Sequence, residues 1–365
     1  MFALYALSAA FHLYVGARIV PALPGPWAAG AFVLLLVVSA LSMPLGLIAR
    51  RFARPPFADK LAWIGLLCMG LFSSLLVLTF FRDIALLFIG TPEFWRTSAE
   101  LIPPIALVLT LIGLVNARRT AAVKRVEVPI AGLPPALDGF RIVQISDVHV
   151  GPTIKQRYIE QVVERVNALK PDVIAVTGDL VDGSVAELRQ HVAPLAQLRA
   201  KHGAFFVTGN HEYYSGADAW VREVRRLGLR VLMNEHEVIE HGGSRLVLAG
   251  VPDYGAGHFD TSHTSDPRRA LEGAPTGVPK VLLAHQPRSA RAAAEAGFDL
   301  QLSGHTHGGQ FLPWNLLVPL QQPFTAGLHR LGNLWVYVSR GTGYWGPPKR
   351  VGAPSEIGEI VLRAA

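Results

Sequence analysis

Five short apolar runs, each ending in residue types that can ligate a metal, constrain this chain more than any other feature. Arg141-Ile142-Val143-Gln144-Ile145-Ser146 leads into Asp147-Val148-His149, and Asp172-Val173-Ile174-Ala175-Val176-Thr177 into Gly178-Asp179-Leu180-Val181-Asp182. Ala204-Phe205-Phe206-Val207-Thr208 ends at Gly209-Asn210-His211-Glu212, and Val281-Leu282-Leu283-Ala284 ends at His285. Phe298-Asp299-Leu300-Gln301-Leu302 ends at Ser303-Gly304-His305-Thr306-His307-Gly308-Gly309-Gln310. Such runs read as buried strands. Imidazole suits borderline transition metals, and glycine lets backbone come close to a bound ion. A lone His-x-His is weak evidence of a metal; the same kind of ending repeated in order through one region is strong. The single cysteine, Cys68, lies in an apolar stretch, which excludes intrachain disulfides and thiolate zinc sites. Any metal must be held by His, Asp and Asn.

Between these runs the chain reads as helix. Ile159, Val162, Val163, Val166 and Leu169 mark one face of a helix over 154–169, stopped by Lys170-Pro171. Residues 185–199 and 217–227 are further helical stretches, and 237–248 reads as a hairpin turning at Gly242-Gly243. Alternation of strand and helix implies right-handed crossovers and aligned strands. In open α/β sheets ligands gather outside the carboxyl ends of the strands, where every one of these endings falls.

Taken together, Asp-x-His, Gly-Asp, Gly-Asn-His-Glu, a lone His and Gly-His-x-His resemble the signature of the calcineurin-like metallophosphoesterases, over roughly residues 138–363. The wording around Asn210-His211 and His305-Thr306-His307 is similar to a bacterial membrane-associated branch that includes UDP-2,3-diacylglucosamine hydrolases. The resemblance implies an α/β sandwich of two sheets flanked by helices, and two divalent transition-metal ions drawn from Mn, Fe, Zn or Ni. It implies that Asp147, His149 and His307 hold one ion, that Asn210, His285 and His305 hold the other, and that Asp179 bridges them. Ions in such sites lie about 3.5–4 Å apart and share a hydroxide that attacks phosphorus in line. His211 is expected to face the leaving group as general acid or oxyanion stabiliser, with a helix-cap or buried polar role as the alternative. Asp182 and Glu212 are candidates for orienting His211 or a ligand imidazole, with a surface or capping role as the alternative, and Asp253 is open in the same way. The tail Ser339 to Arg350 resembles the branch's substrate-side loop, with Arg340 or Arg350 as a bidentate phosphate clamp. Pro354-Ser355-Glu356-Ile357 departs from the Pro-Glu-Ile of that branch, which leaves the placement of the loop open.

Half of the residues are apolar, 17% are charged and the mean hydropathy is +0.32, too apolar for a chain wholly in water. Residues 1–120 are expected to form a membrane domain of about four spans, 121–139 a linker, and 140–365 the metallophosphoesterase domain. The spans read as Met1 to about Gly16, Trp27 to Ile48, Leu61 to Phe81 and Leu101 to Ala117, the first and last being short for a bilayer. Three spans is the alternative. Arg50, Arg51, Arg54 and Lys60 sit in one connection, and Arg118, Arg119, Lys124 and Arg125 follow the fourth span. Lysine and arginine mark the cytoplasmic side, so the catalytic part is expected there, on a bacterial inner membrane.

A net charge of +7 fits anionic partners: a lipid surface, nucleic acid or a phosphorylated substrate. No basic stripe interleaved with aromatics accompanies the motifs, so no specific nucleic acid is expected. The leading expectation is a membrane-anchored hydrolase of a phosphodiester or pyrophosphate bond in a lipid-linked nucleotide such as UDP-2,3-diacylglucosamine. The apolar run Phe311 to Leu320, interrupted by Pro313 and Pro319, is where acyl chains are expected to enter, with a loop packed on the sandwich as the alternative. A nuclease or cyclic-nucleotide phosphodiesterase is one alternative, and a metal-binding membrane scaffold without turnover is another.

Overall fold

The structure is a computed structural model that describes residues 2–365, so Met1, the start of the first expected span, lies outside it. The chain forms two compact units, Met1–Arg118 with Gly346–Val351, and Arg119–Trp345 with Gly352–Ala365.

Four helices make the first unit: α1 (Phe2–Ile19), α2 (Gly25–Ile48), α3 (Phe57–Leu86) and α4 (Pro92–Arg118). All four are long and apolar enough to cross a membrane. The fourth is longer than its apolar core because Pro92 and Glu93 suit a helix N-terminus and extend it through a polar first half. Val15, Ile19, Phe32, Leu36, Phe72, Leu75 and Ile102 pack together between the helices. His12 stacks on Phe72 at 3.6 Å, and its ring nitrogens meet the Ser8 carbonyl and Ser39 Oγ, a structural role. The segment Gly346–Val351 packs with these helices: Lys349 Nζ donates to the Gly70 carbonyl at 2.8 Å and to Ser74 Oγ. Arg350 is buried there, its amide donating to the Gly113 carbonyl.

The second unit is a sandwich of two six-stranded sheets flanked by helices. One sheet has β1 (Ala122–Ile130), β2 (Arg141–Ile145), β3 (Val173–Thr177), β4 (Ala204–Val207), β5 (Arg230–Val231) and β12 (Glu356–Ala364) in the order β1-β12-β2-β3-β4-β5. The other has β6 (Glu235–His241), β7 (Ser244–Gly250), β8 (Lys280–Leu283), β9 (Leu300–Ser303), β10 (Gly327–Leu331) and β11 (Leu334–Val338) in the order β10-β11-β9-β8-β7-β6. Crossovers through α5 (Gln156–Ala168) and α6 (Val185–Val192) make β2, β3 and β4 parallel, and β7, β8 and β9 run parallel in the second sheet. Ile142, Val173, Ala175, Phe205, Val207, Leu248, Leu283 and Leu302 fill the space between the sheets. The helix read over 185–199 ends early, at Val192, and continues as a tighter turn over Ala193–Gln197, because Pro194 removes an amide donor.

The stretch 121–139 is not a linker throughout. Its first half is β1, paired in parallel with β12 along nine residues, from Ala122 against Glu356 to Ile130 against Ala364. Val126, Val128 and Ile130 alternate with Arg125, Glu127 and Pro129, and the polar half of that pattern, with Lys124, hid the strand; Val128 and Ile130 are buried in the inter-sheet core. Ile130→Ala is therefore expected to cost about 2–5 kcal/mol, the usual range for emptying a buried isoleucine site. Denaturant unfolding of the full chain in detergent measures this, and a cost within about 0.5 kcal/mol would restore the linker reading.

Candidate metal centre

Each strand-end ending projects from the carboxyl end of a parallel strand. Asp147 and His149 follow β2, Asp179 and Asp182 follow β3, and Asn210 and His211 open α7 (Asn210–Ser215) after β4. His285 follows β8, and His305 and His307 follow β9. Bonds across the sandwich bring the two sets together: the His305 amide donates to Asp147 Oδ1 at 2.8 Å, and Gln144 Nε2 donates to the Ser303 carbonyl at 2.9 Å. Three of the strand ends turn through left-handed backbone: Asp147 and His149 after β2, Asp179 after β3, and His305 and His307 after β9 have φ between 50° and 70°. Non-glycine residues there cost of order 1–3 kcal/mol each and persist only where surrounding structure holds them. Gly304 and Gly209 meet a different need. A Cβ on Gly304 would stand 2.1 Å from Asp147 Oδ2, and one on Gly209 2.2 Å from Asp179 Oδ1.

Three groups of candidate ligand atoms result, each within 4.8 Å: Asp147, His149 and His307; Asp179, His285 and His305; and His149, Asp182 and His211. His149 Nε2 and His307 Nε2 are 3.0 Å apart, His285 Nε2 and His305 Nδ1 3.2 Å, and His285 Nε2 and Asp179 Oδ2 3.1 Å. Ligands on a four-coordinate ion with bonds of about 2.0–2.1 Å stand about 3.3 Å apart, a similar spacing. Among the described residues, Asp147 Oδ2 and Asn210 Oδ1 are buried and accept no hydrogen bond. An orphaned acceptor costs about 1–3 kcal/mol, and a cation would satisfy both atoms, so the residues present fit a metal centre.

Acceptors behind the imidazoles decide which nitrogens can serve an ion. The Thr177 carbonyl can only accept, so His285 Nδ1 carries a proton at 2.8 Å and Nε2, 3.1 Å from Asp179 Oδ2, is the nitrogen left to serve an ion. Asp182 Oδ1 likewise takes His149 Nδ1 at 3.1 Å and His211 Nδ1 at 2.5 Å. Burial and the neighbouring His285 push His305 down to about 3, leaving it a neutral ring at physiological pH. Burial opposes charge on His211 too, but its Asp182 hydrogen bond and the Asp179, Asp182 and Glu212 carboxylates outweigh that and hold it at about 9.

Glu212 is fully buried and accepts three backbone amides, Gly209 at 2.6 Å, Leu180 at 2.8 Å and Asp179 at 2.9 Å. It joins the β3 and β4 loops from behind. Asp253 is buried away from the ligand groups, accepting Gln286 Nε2 at 3.0 Å and the Gly255 amide at 2.8 Å, and so braces the chain beside His285. Arg340 pairs with Glu356 at 3.1 Å, its stem against Gly308 of the histidine loop. Arg350 is not brought to the centre as the clamp reading requires; it is buried in the segment that packs with the helices, because Gly346–Val351 belongs to the first unit. The structure adds residues that the motif reading did not single out. Tyr214 and Trp345 put their rings 5.2 and 5.8 Å from that of His211, and Gln310 clamps the Trp345 backbone through both amide atoms at 2.8 and 2.9 Å. Trp345 lies in the tail Ser339 to Arg350 and Tyr214 three residues beyond His211, but nothing in their spacing marks their approach to that ring.

Glu212→Gln forces an NH2 group against a backbone N–H whichever way the amide turns. The expected result is a stability loss of about 1–3 kcal/mol together with lower metal content, read by thermal unfolding and elemental analysis. Unchanged metal content would show that the Glu212 brace does not set the ligand loops.

The sequence profile of the family described as calcineurin-like phosphoesterase matches residues 140–309. A Bos taurus protein named transmembrane protein with metallophosphoesterase domain is 43% identical over 273 residues, 72% of this chain and 61% of that protein. Its Danio rerio namesake is 40% identical over 76% of this chain and 65% of its own length, so this chain spans less than two thirds of either. An uncharacterized metallophosphoesterase of Aquifex aeolicus is 34% identical over 61% of this chain and 85% of its own length. A relative so fully covered, and a profile that runs from the first ligand-bearing strand to the histidine pair, agree with the geometry of the strand ends: the chain belongs to the calcineurin-like metallophosphoesterases, whose members use two divalent metal ions.

Proposed function

We propose that this chain is a membrane-anchored, metal-dependent hydrolase of a phosphodiester or pyrophosphate bond. The observation that carries the reading is the grouping of Asp147, His149 and His307 and of Asp179, His285 and His305, with buried oxygens of Asp147 and Asn210 left unpartnered and a carboxylate-held imidazole beside them. Asp147, His149 and His307 would hold one ion, Asn210, His285 and His305 the other, with Asp179 between them. When bound, two dications offset charge on phosphoryl oxygens and lower the pKa of water at the site. His211 keeps Nδ1–H on Asp182, which fixes the ring and favours the imidazolium, and gives its Nε2 proton to the departing oxygen. Asp182 thus serves two rings with one oxygen, linking a ligand imidazole to the proton donor. Arg340, partly exposed beside Gly308, is the remaining candidate for a second phosphate.

The substrate reading is a lipid-linked nucleotide such as UDP-2,3-diacylglucosamine, met on the cytoplasmic face. Leu312, Leu316, Leu317 and Leu320 are 58%, 67%, 49% and 81% exposed in the run that follows the histidine loop. The run packs on that loop, with Asn315 against Gly309. Exposed apolar side chains in such a place support acyl-chain binding, each buried methylene contributing about 0.8 kcal/mol. For orientation, the Arg118 guanidinium lies over the Trp63 ring at 5.3 Å, which sets the end of α4 beside the start of α3, near Lys60, and supports a cytoplasmic placement of that end of the helices.

His211→Ala is expected to keep its metals and lose roughly 10²- to 10⁴-fold in kcat. In the wild type, kcat/KM falls on the alkaline side as His211 loses its proton, at or below pH about 9, because cations held nearby pull that value down. The variant lacks this limb; loss of metal in it would make His211 a ligand instead. Leu316→Ser with Leu317→Ser is expected to raise KM for an acylated substrate and spare a short soluble pyrophosphate. Equal damage to both would make the run core and remove the local support for a lipid substrate.

A further inference from the structure

The surroundings of His211 carry information about the group that leaves. Its Nδ1 side is taken by Asp182, and two large rings stand edge-on to the imidazole, Tyr214 at 68° and Trp345 at 72°. Phe259 stands edge-on to Tyr214, 5.7 Å away at 64°, and walls the surface on that side. These three side chains come from α7, the turn after β7 and the loop before β12, yet meet beside one histidine. They are also 64%, 54% and 57% exposed for Tyr214, Trp345 and Phe259, so aromatic surface that burial would normally claim is left open to solvent. The Trp345 ring is exposed on a fixed backbone, because Gln310, buried at the end of the histidine loop, takes both its amide and its carbonyl. Rings held open and rigid next to the proton donor form a stacking surface already in place before binding.

We propose that Tyr214 and Trp345, with Phe259 as a side wall, form a platform that takes a planar aromatic ring, a nucleobase, on the leaving-group side of the metal centre. The inference rests on the reading of His211 as the acid for the departing oxygen, and deepens it by naming the class of leaving group. A π-face is common to all bases, so the platform selects a nucleotide over an alkyl phosphate without distinguishing bases by hydrogen bonds. Stacking of this kind contributes about 1–3 kcal/mol per base, which is roughly 5- to 150-fold in binding.

The test compares two soluble pyrophosphates with leaving groups of matched acidity, butyl-uridine pyrophosphate and dibutyl pyrophosphate, on this whole chain, metal-loaded, in detergent. The wild type is expected to show a KM lower by roughly 5- to 150-fold for the uridine compound. Tyr214→Leu or Trp345→Leu shrinks this ratio toward one, and Tyr214→Phe, which keeps the ring, restores it. A second readout does not depend on turnover: by calorimetry, uridine monophosphate binds more tightly than butyl phosphate, and the gap narrows in the same variants. Equal KM and equal affinity for the two members of each pair would overturn the platform while leaving the hydrolase intact. Absence of turnover on both substrates would instead strike the hydrolase reading, with the binding pair still deciding the platform. If the variants lose activity only in lipid nanodiscs, equally on both substrates, the rings seat on lipid and the proposal fails.

Discussion

Two carboxylates in one buried place govern this structure. Asp147 and Asp179 are 0% and 2% exposed and face the same cluster of imidazoles. Burial and the charge of Asp179 push Asp147 up, whereas Asp179 is pulled well down, against its own burial, by His285 and the other imidazoles. Like charges at such a site are tolerated only with positive charge between or beside them, and the protein's own imidazoles leave Asp147 Oδ2 unpartnered. The left-handed turns at five ligand positions, the missing side chains at Gly209 and Gly304, and the three amides on Glu212 all serve to hold negative and lone-pair groups on that point. Strain of order 1–3 kcal/mol at each such turn is offset by a sandwich core that is buried on both inner faces.

The same loops divide the work between holding and reacting. Asp182 is the hinge of that division, because a single oxygen orients a ligand imidazole and the proposed proton donor. Moving one of these groups therefore moves the other, and substitutions at Asp182 should not be additive with those at His211. Beyond this pair the surface changes character. Open aromatic rings stand on the His211 side, and exposed leucines follow the histidine loop. A substrate with a planar end and an apolar end would meet both.

The helical unit shows how membrane-spanning helices receive a segment from far along the chain. The ammonium of Lys349 finds the Gly70 carbonyl and Ser74 hydroxyl, and the amide of Arg350 finds the Gly113 carbonyl. Every polar group of such a segment needs an internal partner once it is among apolar helices. That need explains why a run with two prolines and two cations, readable as a substrate loop, serves the helices instead.

Much of this was legible in the residues themselves. Strand-end endings at Asp147, Asp179, Asn210, His285 and His305 announce both the parallel strands and the place where they converge, because ligand chemistry and strand patterning are local properties of a few consecutive residues. Apolar length likewise announces four helices before any coordinates. Tertiary structure alone decided the rest. β1 is hidden in sequence because its charged face reads as linker, and only pairing with β12, some 230 residues later, makes it a strand. Which nitrogen of His285 is left to serve an ion depends on a carbonyl at Thr177, and the fate of Arg350 depends on α4. The aromatic neighbours of His211 come from separate loops, so no spacing in the chain predicts their meeting. Patterns within a strand or helix can be read from neighbours in sequence; contacts made by chain closure over tens or hundreds of residues cannot, since they are set by how the sheets pack.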